Sequence, residues 1–257
     1  MNRIEALFAR KQKNICNIYC TAGYPMLEST HEVLRALQSN GADMVEIGIP
    51  YSDPIADGLV IQQSNTIALQ NGMTIKKLFE QLQPVRSDFH LPMLLMGYLN
   101  PIMQYGLENF CRMANETGVD GVILPDLPMY EYETEYRPVF KKYGLDVIFL
   151  VTPETSEARI RKIDELSTGF IYAVSSSATT GYNSSAVGEH EAYYKKLQRL
   201  NLNKPVLVGF GIKNKETFQE AAKYTNGAII GSAYIKALQA GGDISDVTRK
   251  FLNEILN

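Results

Sequence analysis

The sequence predicts an α/β fold, a (β/α)8 TIM barrel with extra N-terminal and loop helices. Short apolar, β-branched runs bounded by turn residues recur along the chain, and a stretch with helical periodicity follows each one. Eight such units fit within the 257 residues, and no linker divides them. We therefore expect a single barrel domain over residues 1–257.

The elements follow from these runs in chain order. Strands are predicted over Ile15–Thr21, Met44–Gly48, Pro92–Gly97, Gly121–Leu124, Asp146–Val151, Phe170–Val174, Pro205–Phe210 and Gly227–Ile230. Helices are predicted over Leu27–Ser39, Gly58–Asn71, Leu107–Thr117, Tyr130–Tyr143, Ser156–Leu166, His190–Leu200, Lys215–Tyr224 and Tyr234–Ala240, with extra helices over Ile4–Lys11, Thr74–Gln83 and Ile244–Leu256. A doubly wound open sheet is the alternative, but no Gly-x-Gly-x-x-Gly follows the first strand.

The amino-acid composition limits the kinds of molecule that the protein is expected to bind. With 45% hydrophobic and 21% charged residues, the chain can bury a sizeable core, and a net charge of −3 offers no basic field for nucleic acid or anionic lipid. No apolar run is long enough to span a bilayer, and the segment Met1–Asn14 is charged and amphipathic, unlike a signal peptide. We expect a cytoplasmic protein that binds small molecules or proteins.

Cysteine and histidine are too sparse for a disulfide framework or a metal site. Of the three cysteines, Cys16 and Cys20 lie four residues apart in one predicted strand, too far for a bridge along an extended segment. None of the three histidines, His31, His90 and His190, is next to a cysteine. We expect free thiols and no bound metal.

Acids crowd the end of the second predicted strand, where barrel active sites lie. Glu46 interrupts an apolar run and points either into the barrel or toward the helices; it is either a structural acid or a general acid/base with a raised pKa. Asp57 precedes a predicted helix and is either an N-cap or a second functional acid. Asp53, followed by Pro54, is interpreted as a turn residue.

Glycines follow the last two predicted strands, in Gly209-Phe210-Gly211 and in Gly231-Ser232. Small residues at these places let backbone N–H groups approach an anion, and barrels commonly bind phosphate there. The connection Ser175–Ser185 is long enough to predict a mobile lid, although an inert polar loop is the alternative.

The reaction class follows from what the strand ends contain. Tyr19, Tyr98 and Tyr172 lie near strand ends and either line a pocket or pack in the core. No lysine or histidine lies at these ends, which disfavours a Schiff-base aldolase. Acid/base chemistry by carboxylates remains, with Asp126 as a further acid or a structural residue.

Three motifs point to a known family. The segments Glu46–Gly58, Asp120–Pro128 and Gly209–Ile212 resemble the tryptophan synthase alpha subunit, and the resemblance covers essentially the whole chain. It implies a lyase that cleaves indole-3-glycerol phosphate to indole and glyceraldehyde 3-phosphate by a retro-aldol reaction, without a cofactor in this chain.

The resemblance also implies roles for individual residues. Glu46 would be the acid/base that protonates indole C3 and helps move the glycerol hydroxyl proton, Asp57 would stabilise positive charge at the indole N–H, and Tyr172 would lie beside them. The phosphate would be bound through Gly181, Gly211, Gly231 and Ser232. The indole pocket would be walled by Tyr19, Met96, Ile123 and Phe210, and Thr180 of the lid would contact Asp57 on closure.

The family further implies a beta subunit partner in an α2β2 heterotetramer, with pyridoxal phosphate in that partner. The loops Pro50–Asp57 and Asn100–Gly106, together with Asp126, would lie near the interface. The lid departs from the family's Ser-Arg-x-Gly-x-Thr-Gly pattern, since Ser175–Gly181 lacks the arginine and the first glycine. Three alternatives stay open: a stand-alone lyase of the same family, an inactive activator of a beta subunit, and an unrelated phosphosugar isomerase.

Overall fold

Eight parallel strands close into a barrel in the order in which they occur in the chain. The computed structural model describes residues 2–174, 186–209 and 211–257. The strands are β1 (Ile15–Thr21), β2 (Met44–Gly48), β3 (Met93–Met96), β4 (Gly121–Ile123), β5 (Asp146–Val151), β6 (Ile171–Val174), β7 (Val206–Gly209) and β8 (Gly227–Ile230). Because β1 also pairs with β8, the predicted barrel is confirmed and the open-sheet alternative is wrong.

The strands are buried on both faces, which explains why they appear in the sequence as apolar runs. All seven residues of β1 and all five of β2 are buried, as expected when helices cover a sheet whose interior is filled by side chains. The bounds of β1, β2, β5 and β8 are those predicted, and β3, β4, β6 and β7 are one or two residues shorter. The cysteines are buried free thiols, as predicted.

Helices surround the sheet. They are α1 (Arg3–Arg10), α2 (Ser29–Ser39), α3 (Leu59–Gln70), α4 (Ile75–Leu82), α5 (Leu99–Tyr105), α6 (Leu107–Glu116), α7 (Met129–Glu131), α8 (Arg137–Lys142), α9 (Glu157–Leu166), α10 (Ala186–Arg199), α11 (Lys215–Tyr224), α12 (Ser232–Gln239) and α13 (Ile244–Leu256). A 3-10 turn covers Val85–Ser87. Within the described part of the chain, none of these helices combines the length and apolar character needed to cross a membrane.

Helix α5 is absent from the sequence prediction. It begins at Leu99, and Pro101 lies in its first turn, where proline is tolerated because the N–H groups have no intrahelical partner. The backbone N–H of Leu99 instead donates to both carboxylate oxygens of Asp126, at 3.0 Å each. A cap supplied from 27 residues away leaves no local signal in the sequence.

The predicted helix Tyr130–Tyr143 has an irregular centre. A π-helical segment, Tyr132–Tyr136, joins α7 to α8 just before Pro138. Proline removes one backbone hydrogen bond and its ring crowds the preceding turn, and the wider π turn accommodates both effects. The prediction was correct in extent and wrong in assuming a uniform α-helix.

A buried carboxylate ties α1 to the amino end of the barrel. Asp120 accepts hydrogen bonds of 2.9 Å from Arg3, from Arg86 and from the backbone N–H of Met93. Its side chain is only 4% exposed, so the two guanidinium groups offset the cost of burying the charge. This end of a barrel commonly serves stability, and the functional site is therefore sought at the opposite end.

Candidate active site

Glu46 lies in β2 on the inner face of the barrel. It pairs in register with Tyr19 of β1, and residues paired in this way on neighbouring strands point to the same side of the sheet. Tyr19 lines a cavity at the carboxyl end of the strands. The two orientations left open by the sequence are thus resolved in favour of the barrel interior.

The Glu46 carboxyl group is fully buried and makes one hydrogen bond within the described part of the chain. Its Oε1 accepts a bond of 2.6 Å from Nδ2 of Asn17, whereas Oε2 has no hydrogen-bond partner among the described residues. Burial raises the pKa of Glu46 to about 8, and the Asn17 hydrogen bond opposes that rise. A carboxyl group with this pKa is protonated at neutral pH and can exchange its proton there.

Asp57 lies in the loop between β2 and α3, and its carboxylate lines the same cavity. The Tyr98 hydroxyl donates to it at 3.2 Å and itself accepts from the backbone N–H of Ala56 at 3.0 Å. Burial raises the pKa of Asp57 to about 6, and the Tyr98 hydrogen bond opposes the rise. The N-cap of α3 is Gly58, so the N-cap interpretation of Asp57 is wrong.

Two buried tyrosines flank the acids. The hydroxyl groups of Tyr19 and Tyr172 lie against Gly48 and Gly209, where an added Cβ would come within 2.0 and 2.1 Å of them. Glycine is therefore required at both strand ends. Burial, followed by the charges of Glu46 and Asp57, raises the pKa of Tyr172 well above its usual value. The Tyr172 hydroxyl stays protonated and is electrostatically coupled to both acids, although β6 and β2 are not neighbouring strands.

A cavity opens at this end of the barrel. About 580 Å³ of space lies within it, part of which is open to solvent. Its lining is mainly apolar, with a few polar groups, and consists of Tyr19, Asp57, Gly58, Ile61, Met96, Tyr172, Gly211, Ile212, Ile229, Gly231 and Ser232. The structure thus brings together seven residues that the sequence singled out, from loops and strands far apart in the chain.

One wall of the cavity is suited to an anion. Helix α12 begins at Ser232, two residues before the predicted start, and its N-cap Gly231 makes no side-chain capping bond. The first N–H groups of a helix lack intrahelical partners and carry partial positive charge. Gly211, Gly231 and Ser232 line the cavity, and none of its described lining residues is a lysine or arginine. Anion binding here would depend on backbone N–H groups.

Several predicted site residues lie elsewhere. Thr180, Gly181 and Phe210 are outside the described residues, as is the predicted lid Ser175–Ser185. Ile123 is fully buried in β4 and is not part of the cavity lining. Glu46 is likewise absent from the lining; it is buried next to its strand partner Tyr19, which lines the cavity.

Other residues of the site were missed by the sequence analysis. Asn17 bonds to Glu46 from a neighbouring strand, so no local pattern marks it. Tyr98 was singled out as a pocket or core residue, but its hydrogen bond to Asp57 was not predicted. Ile61, Ile212 and Ile229 resemble ordinary core residues in the sequence. For Ile212 and Ile229, a position near the carboxyl end of β7 or β8 is the signal that could have drawn attention to them.

The remaining acids near this end have structural contacts. Asp126 caps α5, as described above, and Asp53 accepts a hydrogen bond of 2.5 Å from the Ser52 hydroxyl in an exposed loop. Among the described residues, no group of three or more His, Cys, Asp or Glu side chains is arranged to hold a metal ion. The titratable side chains at or next to the cavity are those of Asp57, Tyr19, Tyr172 and the buried Glu46.

A closed parallel barrel with two carboxyl groups of raised pKa at its carboxyl end defines the class of (β/α)8-barrel enzymes that work by acid/base chemistry. Comparison with known proteins gives the family. The family model of the tryptophan synthase alpha chain matches residues 5–255.

Individual relatives agree with this match. The tryptophan synthase alpha chain of Bacteroides fragilis is 53% identical over 238 residues, covering 93% of this chain and 90% of that protein. The alpha chain of Flavobacterium psychrophilum is 51% identical over 255 residues, covering 99% and 100%. The crystal structure of tryptophan synthase subunit alpha from Legionella pneumophila superposes with a TM-score of 0.88 at 35% identity, covering 99% and 97%. The chain therefore belongs to the tryptophan synthase alpha chain family, and the predicted family and lyase class are confirmed.

Proposed function

We propose that this chain cleaves indole-3-glycerol phosphate to indole and glyceraldehyde 3-phosphate as the alpha subunit of a tryptophan synthase. Family membership supports the role in tryptophan biosynthesis. The observation that carries the chemistry is a pair of acids with different pKa values: Asp57, at about 6, lines the cavity, and Glu46, at about 8, is buried beside Tyr19, which also lines it. Such a pair provides one proton donor and one anion at neutral pH.

Glu46 is the proton carrier in this proposal. In its protonated form it delivers a proton to C3 of the indole ring, which places positive charge on the ring nitrogen. The hydroxyl group on the adjacent glycerol carbon then returns a proton to Glu46 as the carbon–carbon bond breaks, and the bonding electrons return to the ring. The products are indole and an aldehyde, and Glu46 ends in its starting state.

Asp57 is the charge stabiliser. With a pKa of about 6 it is ionised at neutral pH, and it lines the cavity where the ring nitrogen would develop positive charge. Tyr98, which lies in the β3–α5 connection, holds this carboxylate in place through its hydrogen bond. Tyr172, protonated and coupled to both acids, would orient the reacting groups between them.

The cavity provides separate places for the two ends of the substrate. Tyr19 and Met96 supply apolar surface for the indole ring, and Ile61, Ile212 and Ile229 extend it. Gly231 and Ser232 supply backbone N–H groups at the start of α12 for the phosphate, and Gly211, which follows β7, lines the same cavity. The parts assigned to Thr180, Gly181 and Phe210 remain proposals that concern residues outside the described chain.

We further propose a beta subunit as the protein partner, with pyridoxal phosphate held by that subunit. Exposed apolar side chains are present at the carboxyl end of the barrel, and they include Ile55, Leu59, Met103 and Tyr130. Ile55 and Met103 belong to the two loops that the family resemblance places at the interface. Apolar groups left in water at such loops favour protein association.

The direct test is an assay of the purified chain with indole-3-glycerol phosphate, in which indole and glyceraldehyde 3-phosphate are both quantified. We expect equimolar products, and faster formation when a beta subunit is added. High turnover that does not respond to the beta subunit would identify a stand-alone lyase. The absence of both products with stimulation of the beta subunit would identify an inactive activator, and turnover of phosphosugars without indole would identify an isomerase.

A further inference from the structure

Asn17 is a buried polar residue in the centre of β1, where the fold itself has no need of one. Its side chain is fully buried, and asparagine is disfavoured in strand interiors. A buried amide also costs free energy unless its hydrogen bonds are made. Its presence therefore calls for an explanation beyond packing.

Among the described residues, the Asn17 side-chain amide makes one hydrogen bond, and its partner is Glu46. In the β1–β2 register Asn17 is opposite Met44, and Glu46 is two residues further along β2 on the same face. Nδ2 of Asn17 donates to Oε1 of Glu46 at 2.6 Å, which is short for a bond from an uncharged amide. The other carboxyl oxygen, Oε2, has no hydrogen-bond partner among the described residues.

We propose that Asn17 is the positioning residue for Glu46: its amide anchors Oε1 and thereby assigns Oε2 as the oxygen that exchanges the proton with the substrate. This inference rests on the proposed acid/base role of Glu46. An anchored oxygen fixes the plane of the carboxyl group, and a fixed general acid transfers its proton more efficiently than one that samples several rotamers.

The anchor has a measurable electrostatic consequence. A donor to the carboxylate stabilises its charged form, and the Asn17 hydrogen bond therefore opposes the rise in pKa that burial causes. The titratable groups coupled to Glu46 are Tyr19 and Cys20 from β1 and Tyr172 from β6. Burial raises the pKa of all three, so they stay neutral while Glu46 titrates. Removal of the amide donor should raise the pKa of Glu46 further.

The test compares three variants. Asn17→Leu keeps a branched side chain of similar size but removes the donor. Asn17→Ser keeps a donor on a smaller side chain. Asn65→Leu is the matched control, because Asn65 is a buried asparagine of α3 that makes no hydrogen bond to Glu46. The readouts are kcat, KM, the alkaline limb of the pH–rate profile, and the NMR titration of the Glu46 side-chain carboxyl carbon, assigned with Glu46→Gln.

For Asn17→Leu we expect kcat to fall by about tenfold or more, a smaller loss than removal of the general acid itself would cause. KM should stay within about twofold of the original value, because Asn17 does not line the cavity. The Glu46 titration and the alkaline limb should both move to higher pH. Asn17→Ser should restore most of kcat and return the titration toward that of the original chain, and Asn65→Leu should change neither.

An unchanged Glu46 titration in Asn17→Leu would overturn the inference, and so would equal defects in the Ser and Leu variants. If the Leu variant does not fold, Asn17→Ala removes the donor without adding bulk and is judged by the same titration. Failure of the proposed function would be seen differently, as turnover retained in Glu46→Gln.

Discussion

At the scale of single residues, Glu46 shows a conflict between stability and chemistry. Its pKa is about 8 in the folded protein, against an ordinary value of 4.5. Between these pH values the folded protein holds a proton that the unfolded chain has released. The free energy of unfolding therefore falls as the pH rises from about 4.5 to about 8. Stability is lost so that a proton donor is available at neutral pH.

Glu46→Gln should therefore stabilise the fold in alkaline solution. Glutamine resembles the protonated acid and carries no buried charge, so the gain should be on the order of 4 kcal/mol at pH 9, since one pKa unit corresponds to about 1.4 kcal/mol. It should nearly vanish at pH 5. Urea unfolding at the two pH values measures the difference, and a gain that does not depend on pH would contradict the assigned pKa.

Tyr98→Phe tests the second acid at the same scale. The Tyr98 hydroxyl stabilises ionised Asp57, so its removal should raise the pKa of Asp57 above about 6. Activity that requires the Asp57 anion should then be lost at higher pH, and the acid limb of the kcat/KM profile should move up. Tyr51→Phe is the matched control, because the Tyr51 ring packs 5.3 Å from the Tyr98 ring and its hydroxyl bonds to Asn100. Equal profiles for both variants would exclude this role of Tyr98.

At the scale of elements, α12 combines a structural and a binding role. It begins at Ser232 beside the cavity without a side-chain cap, so its N-terminal N–H groups are available to a ligand. A substrate phosphate placed there would also complete the capping of the helix. Because α12 begins directly after β8 ends, its first N–H groups lie beside the proposed phosphate site.

Ser232→Asp should separate these two roles. A carboxylate in the first turn favours the helix, so the free energy of unfolding should not fall. The same charge would repel the substrate phosphate, so KM should rise roughly tenfold or more. Ser245→Asp, which makes the same substitution in the first turn of α13 away from the cavity, is the control for both measurements. An unchanged KM in Ser232→Asp would place the phosphate elsewhere.

Elements also show where prediction from sequence succeeds. The strands were found because parallel strands buried on both faces leave unbroken apolar runs, as in β1 and β2. Helix α5 was missed because its cap, Asp126, comes from the loop after β4. Glu46 stands out because an acid inside an apolar strand is unusual, whereas the hydrogen bonds of Asn17 to Glu46 and of Tyr98 to Asp57 join separate elements and leave no local pattern.

At the scale of the whole molecule, the residues that stabilise the fold and those that form the site lie at opposite ends of the barrel. The amino end is stabilised by ion pairs of Arg3 and Arg86 with the buried Asp120 carboxylate, and the carboxyl end holds the cavity and the exposed apolar loops. The cavity and the proposed partner surface therefore share one end. A partner bound there would lie next to the site where indole is released.

Ile55→Asp should weaken binding of a beta subunit. The Ile55 side chain is 85% exposed, so the substitution should leave the free energy of unfolding nearly unchanged. Burial of the new charge in an interface should raise Kd about tenfold or more. Met26→Asp is the control, because Met26 is an apolar residue, 67% exposed, in the β1–α2 loop outside the two proposed interface loops. Equal affinities of both variants, measured by calorimetry, would argue against this surface.

The most direct measurement of the whole account is the turnover of indole-3-glycerol phosphate by Glu46→Gln. We expect kcat to fall by about a hundredfold or more, because the variant folds but cannot supply the proton. Asp146→Asn is the matched control: it alters another buried acid of raised pKa, at the amino end of β5, and should retain turnover. If Glu46→Gln keeps a kcat within about tenfold of the original chain, Glu46 is not the proton carrier.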